Sequence, residues 1–222
     1  MSGGKIKIAV VLSGCGVYDG AEIHEAVLTL LAISRHGAEA VCFAPNINQH
    51  HVINHLTGTE ATGEVRNVLL ESARIARGHI TDLAQFDVTK VDAVVFPGGF
   101  GAAKNLSSFA FAGPDCTVNE SVVAAIKAMA AAGKPIAALC IAPALLAKVL
   151  GNVELTIGQD AGTAAALEKL GAHHTVTRGA EIVVDRKQKI VTSPCYMLES
   201  TIAEIADGAD NAIKALLELV GK

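Results

Sequence analysis

The chain has 222 residues, 51% of them hydrophobic, with a formal net charge of −4 and a mean hydropathy of +0.42, enough apolar material for one large α/β core. No basic cluster exceeds Arg186-Lys187-Gln188-Lys189, which argues against nucleic acid or a membrane surface as partner. The longest apolar stretch, Pro135 to Ala147, is too short to span a bilayer.

Five cysteines (Cys15, Cys42, Cys116, Cys140 and Cys195) form an odd set without C-x-x-C spacing, which points to reduced thiols rather than a disulfide framework or a zinc site. Met1 to Lys5 runs directly into a strand-like segment without the pattern of a secretory leader, so the expected compartment is the cytosol.

In chain order, Ile6 to Leu12 reads as a first strand. Ile23, Val27, Leu30, Leu31 and Ser34 then fall at helical spacing up to Gly37, and Glu39 to Ala44 forms the second strand before Pro45. A helix is predicted over Val65 to Arg77, a strand over Asp92 to Phe96, a helix over Ser121 to Ala132 and a strand over Ile136 to Leu139. Val153 to Ile157 is a further strand and Thr163 to Leu170 a short helix. Glu181 to Asp185 and Lys189 to Thr192 form an antiparallel pair, and a last helix spans Ser200 to Val220. Alternating strands and helices, with no repeat and no Pro/Ser-rich linker, predict a single domain over residues 1–222. The expected fold is a three-layer α/β sandwich, mostly parallel with helices on both faces, with a small antiparallel pair near the C-terminus. The segments Asn46 to Gly63 and Gly98 to Asn119 are long for connections and leave from strand ends, where such sheets bind ligands.

The strongest chemical signal is Ala138-Leu-Cys-Ile-Ala-Pro143. A buried strand turning sharply into a helix opened by proline is a nucleophile elbow. Ala138 and Ala142 supply the small side chains its crowded backbone requires. The neighbouring helix N-terminus is expected to favour the ionised form of Cys140. Gly14-Cys-Gly-Val-Tyr-Asp19 lacks the third glycine of a dinucleotide fingerprint, and the second strand ends without the acidic residue that holds a ribose. Glu22 fits the first-turn carboxylate that serves the helix dipole, whereas Glu25, packed one turn in beside Ile23 and Ala26, is the functional candidate. Gly98 and Gly99, in Pro97-Gly-Gly-Phe100, let backbone N–H groups approach a ligand and form an oxyanion hole. His50, His51 and His55 have a spacing that could hold a metal, but no carboxylate or thiol cluster accompanies them, so solvated or hydrogen-bonded loop histidines are the simpler reading. No metal is assigned.

Gly20-Ala-Glu-Ile-His-Glu25, Pro97-Gly-Gly-Phe-Gly-Ala-Ala-Lys-Asn-Leu106 and the elbow together resemble the class I glutamine amidotransferase-like superfamily. Within it the resemblance is to the branch of the parkinsonism-associated deglycase and the intracellular-protease-like proteins. Leu12 to Glu25, Gln49 to Gly58 and Arg66 to Arg77 extend it over essentially the whole chain, toward a bacterial glyoxalase-like group linked to lycopene and isoprenoid biosynthesis. The resemblance implies a flavodoxin-like sheet, a dimer, a nucleophile at Cys140, a partner carboxyl at Glu25 and glutathione-independent glyoxalase activity. With Gly98, Gly99 and Ile141 expected to bind the oxyanion and substrate, and Cys15 and Asn105 at the rim, the reaction is expected to need no cofactor. This chain departs from the glutaminase pattern, since His173 and His174 are followed by Thr175-Val176 rather than a His-x-Glu motif. Thr156-Ile-Gly-Gln159 stands where deglycase relatives place a histidine. Ammonia release from glutamine is therefore not expected, and proton transfer falls to Glu25.

The expected activity is a lyase-type conversion of glyoxal or methylglyoxal to the 2-hydroxy acid, with low turnover. The other classes are a redox-sensing or chaperone-like protein built on the reactive Cys140, and an amidotransferase subunit.

Overall fold

The computed structural model describes residues 4–221; Met1 to Gly3, part of the segment read above as leader-free, lie outside them. Chain order gives β1 (Lys7–Val11), α1 (Ile23–Arg35), β2 (Glu39–Ala44), β3 (Ile53–Asn54), β4 (Thr59–Glu60), α2 (Val68–Ile75) and β5 (Ile80–Asp82). There follow β6 (Ala93–Phe96), α3 (Phe100–Lys104), α4 (Phe109–Ala112), α5 (Glu120–Ala131), β7 (Ile136–Leu139), α6 (Pro143–Leu150) and β8 (Glu154–Leu155). The chain closes with α7 (Ala161–Lys169), β9 (His173–His174), β10 (Val183–Asp185), β11 (Ile190–Ser193) and α8 (Ile202–Leu219).

The central sheet has the order β10-β11-β7-β6-β1-β2-β5, parallel except for the β10–β11 pair. This is the flavodoxin-like α/β sandwich the sequence predicts. Both faces are covered, so the inner strands read as continuous apolar runs. In β1, Ala9 and Val11 enter one core with Val122, Ile126 and Met129 of α5 and Leu145 of α6. Ile8 and Val10 enter the other with Ile33 of α1 and Ile213 and Leu216 of α8. Full burial of each Val, Ile, Leu or Met side chain among them contributes about 1.5–3 kcal/mol. The chain runs outward through β2 to β5, then returns to place β6 on the other flank of β1. The crevice beyond the carboxyl ends of β1 and β6 is the position where sheets of this type bind ligands.

Three differences from the sequence reading have local causes. The strand predicted at Val153 to Ile157 shrinks to Glu154–Leu155 and pairs with β9 in a separate two-stranded sheet. β5 is a half-buried, three-residue edge strand, too short to show a period. Asn46 to Gly63 contains the small β3–β4 hairpin, with two-residue strands that carry no alternation. The polar turn between β10 and β11 is held by Asp185, whose Oδ1 accepts the backbone N–H groups of Lys187 and Gln188.

Candidate active site

Strand β7 is wholly buried and ends at Cys140, whose φ of 58° lies in the left-handed region. A non-glycine residue is strained there and persists only where its surroundings hold it. The Cys140 N–H donates to the Ser193 carbonyl of neighbouring β11 at 2.9 Å, and Ala142 N–H closes the turn on Leu139 at 2.9 Å. Pro143 opens α6, while Ala138 and Ala142 are fully buried against the bend. The elbow is present.

Helix α1 brings the carboxyl. Its N-cap, Glu22, accepts the Glu25 N–H at 2.7 Å and donates its own N–H to the Gly98 carbonyl at 2.9 Å, which ties the helix start to the loop after β6. Glu25 has no exposed surface. Its Oε2 accepts Gly98 N–H at 2.9 Å and its Oε1 accepts Tyr196 N–H at 3.2 Å. Burial pushes this carboxyl up to about 8, although the two N–H donors and the Cys140 thiol pull the other way. Gly98 is wedged between the two groups: a Cβ there would overlap the Cys140 Cβ and come within 2.6 Å of Glu25 Oε2. Its N–H is engaged with Glu25, so Gly98 spaces the pair rather than serving an oxyanion. The N–H groups turned on the thiol are those of Gly99, at φ 96°, and Ile141.

The expectation that the elbow ionises Cys140 is corrected by these surroundings. Burial pushes the thiol well above its usual range, the Glu25 carboxyl pushes it further, and the N–H groups of Gly99 and Ile141 only partly offset them. A helix start helps a thiolate that water can reach; Cys140 is 8% exposed and pays for desolvation instead. Burial is thus the leading cause of both shifts and favours the protonated form of each group.

A cavity of about 530 Å³ opens onto the thiol, with Gly99, Ile141, Phe100, Phe109, Tyr196 and Met197 among its walls. Of the long segments, Gly98 to Asn119 lines it and Asn46 to Gly63 does not. Asn105, assigned to the rim, is a buried staple. Its Nδ2 donates to the carbonyls of Ser13 and Asp19 at 2.9 and 2.8 Å, and its Oδ1 accepts His50 N–H. Cys15 also lies away from the cavity, half-buried beside Glu71 and Arg74, with burial raising its thiol. Glu22 is both the helix cap and part of the wall.

The three loop histidines divide between two aromatic partners, Phe111 and Tyr18. His50 and His51 lie against Phe111, with ring centroids 4.3 and 5.7 Å away. His55 accepts the Tyr18 N–H and lies 3.9 Å from Asp19. No group of three His, Cys, Asp or Glu able to hold a metal occurs among the described residues.

Three residues near the pair were not singled out from sequence. Tyr196 lines the cavity, holds Glu25 through its N–H and has its hydroxyl hydrogen bonded to His24 Nδ1 at 2.9 Å. Cys195, at φ 42° and buried, is a second thiol that burial and then Glu25 push well above the usual range. All three belong to segments that held a signal: Cys195 and Tyr196 follow the carboxyl end of β11, adjacent to the elbow strand, and His24 immediately precedes Glu25.

A family model described as the DJ-1/PfpI family matches residues 16–197. The human protein named glutamine amidotransferase-like class 1 domain-containing protein 3, mitochondrial, is 53% identical over 225 residues, covering 97% of this chain and 84% of that protein. An isoprenoid biosynthesis protein with an amidotransferase-like domain from Ehrlichia chaffeensis superposes with a TM-score of 0.89 at 36% identity, covering 96% of this chain and 99% of that one. Glyoxalase III from Candida albicans shares the fold, with a TM-score of 0.61 at 14% identity over 95% and 97% of the two chains. The cytosolic expectation is corrected here, because the human relative and the ES1 relatives from rat and zebrafish are all named as mitochondrial.

Proposed function

Because this chain belongs to the DJ-1/PfpI family, we propose that its Cys140 cavity is a glutathione-independent glyoxalase-type centre converting 2-oxoaldehydes to 2-hydroxy acids. One observation carries the reading: Glu25, wholly buried and hydrogen bonded with the thiol, has its carboxyl pushed up to about 8, where a group can both take and return a proton near neutral pH.

In its ionised form Glu25 accepts the thiol proton as Cys140 Sγ bonds to the aldehyde carbon and the carbonyl electron pair moves to oxygen, which the Gly99 and Ile141 N–H groups hold. Glu25 returns that proton to the oxygen, giving a hemithioacetal. It then removes the hydrogen from the same carbon; the electron pair enters a carbon–carbon double bond and the neighbouring ketone oxygen takes the negative charge. The hemithioacetal hydroxyl passes its proton to that oxygen and, as the electron pair it leaves re-forms a carbonyl, Glu25 delivers the abstracted proton to the second carbon, leaving the thioester of the 2-hydroxy acid. Water cleaves it, releasing the 2-hydroxy acid and restoring the thiol. The substrate is oxidised at one carbon and reduced at the next, so no cofactor enters the balance.

A homodimer belongs to the same reading, and the exposed stripe Ile23, Val27 and Leu31 on α1 offers it a face. The test is loss of methylglyoxal, with appearance of the hydroxy acid, in the absence of glutathione. Wild type is expected to act and Cys140→Ala to fall to the buffer rate; equal rates in the two would refute the proposal.

A further inference from the structure

The wall of the Cys140 cavity carries charge of one sign. Glu22 and Asp160 line it, and no Lys, Arg or His among the described residues does. Glu22 is fixed as the α1 cap, 8% exposed. Asp160 caps α7, accepting Thr163 N–H at 2.7 Å, and its hydrogen bonds to Thr163 hold its carboxyl below the usual range, so it is ionised at neutral pH. Lys104 donates to the Tyr18 carbonyl with its ammonium 4.9 Å from the Phe100 ring centroid, and His24 is bonded to the Tyr196 hydroxyl; neither lines the cavity. The remaining wall is aromatic and apolar, from Phe100, Phe109, Tyr196 and Met197. At about 530 Å³ the cavity falls in the range that holds drug-sized ligands, far more than a three-carbon aldehyde fills.

We infer that the site selects substrate by charge and bulk: it takes neutral or cationic 2-oxoaldehydes with an aromatic or branched body and rejects those carrying a carboxylate or phosphate. The inference rests on the glyoxalase reading for the reaction, but the selection is a property of the cavity. An anion entering it meets two carboxylates with no counter-cation, and the repulsion at a few ångströms, reduced by partial solvation, corresponds to at least roughly tenfold in rate. A cation meets those carboxylates and aromatic faces, both favourable.

Two measurements test this. The first compares kcat/KM, without glutathione, for phenylglyoxal, 4-carboxyphenylglyoxal and 4-(trimethylammonio)phenylglyoxal. The carboxylate is expected to be at least roughly tenfold poorer than the neutral compound and the ammonium equal or better. The second needs no turnover. Modification of Cys140 at pH 7 is followed by mass spectrometry with methyl, trimethylammonioethyl and sulfonatoethyl methanethiosulfonate, each rate divided by that for a small free thiol. Glu25 is largely protonated at that pH, since its carboxyl titrates at about 8, so the ratio reports Glu22 and Asp160. The expected order is cation, neutral, anion, with a spread of roughly tenfold or more that Asp160→Asn narrows and Asp160→Asn with Glu22→Gln reduces to about twofold. Both replacements keep a capping oxygen. An anionic reagent as fast as the cationic one, or an undiminished spread in the double variant, overturns the inference. If no aldehyde is consumed while the labelling order holds, the glyoxalase reading falls and the charge selection stands.

Discussion

The cavity between β10 and α8, at about 690 Å³, is larger than the Cys140 cavity at about 530 Å³, yet the two differ most in what lies beneath them. The larger is lined by Arg186, Lys214, Glu181 and Glu218, all exposed, on an edge strand and the outer side of a helix. Water screens such groups and keeps their chemistry ordinary. The smaller has a strained elbow residue, a fully buried carboxyl and glycines that only a side-chain-free backbone permits. Desolvation and enforced contact, rather than volume, are what shift the titration of the groups beneath the smaller cavity.

The comparison breaks most readily on turnover. Glu25→Gln is expected to lower the oxoaldehyde rate by roughly 10²–10⁴-fold, the usual effect of losing a general acid–base group, while Lys214→Ala in the larger cavity stays within about twofold of wild type. A Glu25→Gln enzyme as active as wild type would remove the carboxyl from the mechanism.

The pH dependence of stability sharpens it next. Glu25 keeps its proton in the folded chain up to about 8 and loses it near 4.5 in the unfolded one. The folded state thus binds more protons between those values, so the contribution of Glu25 to stability is full below about 4.5 and is lost as pH rises to about 8. Across that window the loss is on the order of a few kcal/mol. Melting curves from pH 4.5 to 9 should show wild type losing that much more than Glu25→Gln, which has no proton to release. Parallel curves for the two would mean that the carboxyl is not raised.

A smaller effect is expected from Gly98→Ala. The added methyl has no space between Cys140 and Glu25, so urea unfolding should register a loss of about 1–3 kcal/mol, typical of overpacking, together with loss of activity. Unchanged stability would show that the pair can move apart.

The subtlest difference is thiol acidity. Iodoacetamide labelling of Cys140 at pH 7 should be slower than that of a small free thiol and should still be rising above pH 9, since burial and then Glu25 hold the thiol up. In Glu25→Gln the midpoint should move down. Labelling that reaches its plateau below pH 8 in wild type would restore the ionised thiol that the elbow alone suggests.

The elbow was legible because everything that makes it is local. Ala138, Ala142 and Pro143 lie within three residues of Cys140, and the buried strand before them shows itself by composition. The core strands were equally legible, since covered parallel strands are apolar throughout. Glu25 could be chosen over Glu22 by its place one turn into the helix, although Glu22 proved to be cap and cavity wall together. The short strands β3, β4 and β5 and the partners of the loop histidines were not legible, because two or three residues carry no period and a histidine's partners are set by whatever folds against it.

The sequence by itself determined that a cysteine stands at a strand-to-helix turn in an α/β sheet, with a carboxyl on the first helix to serve it. Only the tertiary structure decided what those groups are chemically. Tyr196, 171 positions from Glu25, supplies one of its two backbone donors, and Gly98, 73 positions away, supplies the other. The direction in which the thiol shifts depends on how completely water is removed, and that is settled by distant segments closing over the turn. Local backbone favours the thiolate through a few N–H groups, whereas burial acts on the whole charge and outweighs them.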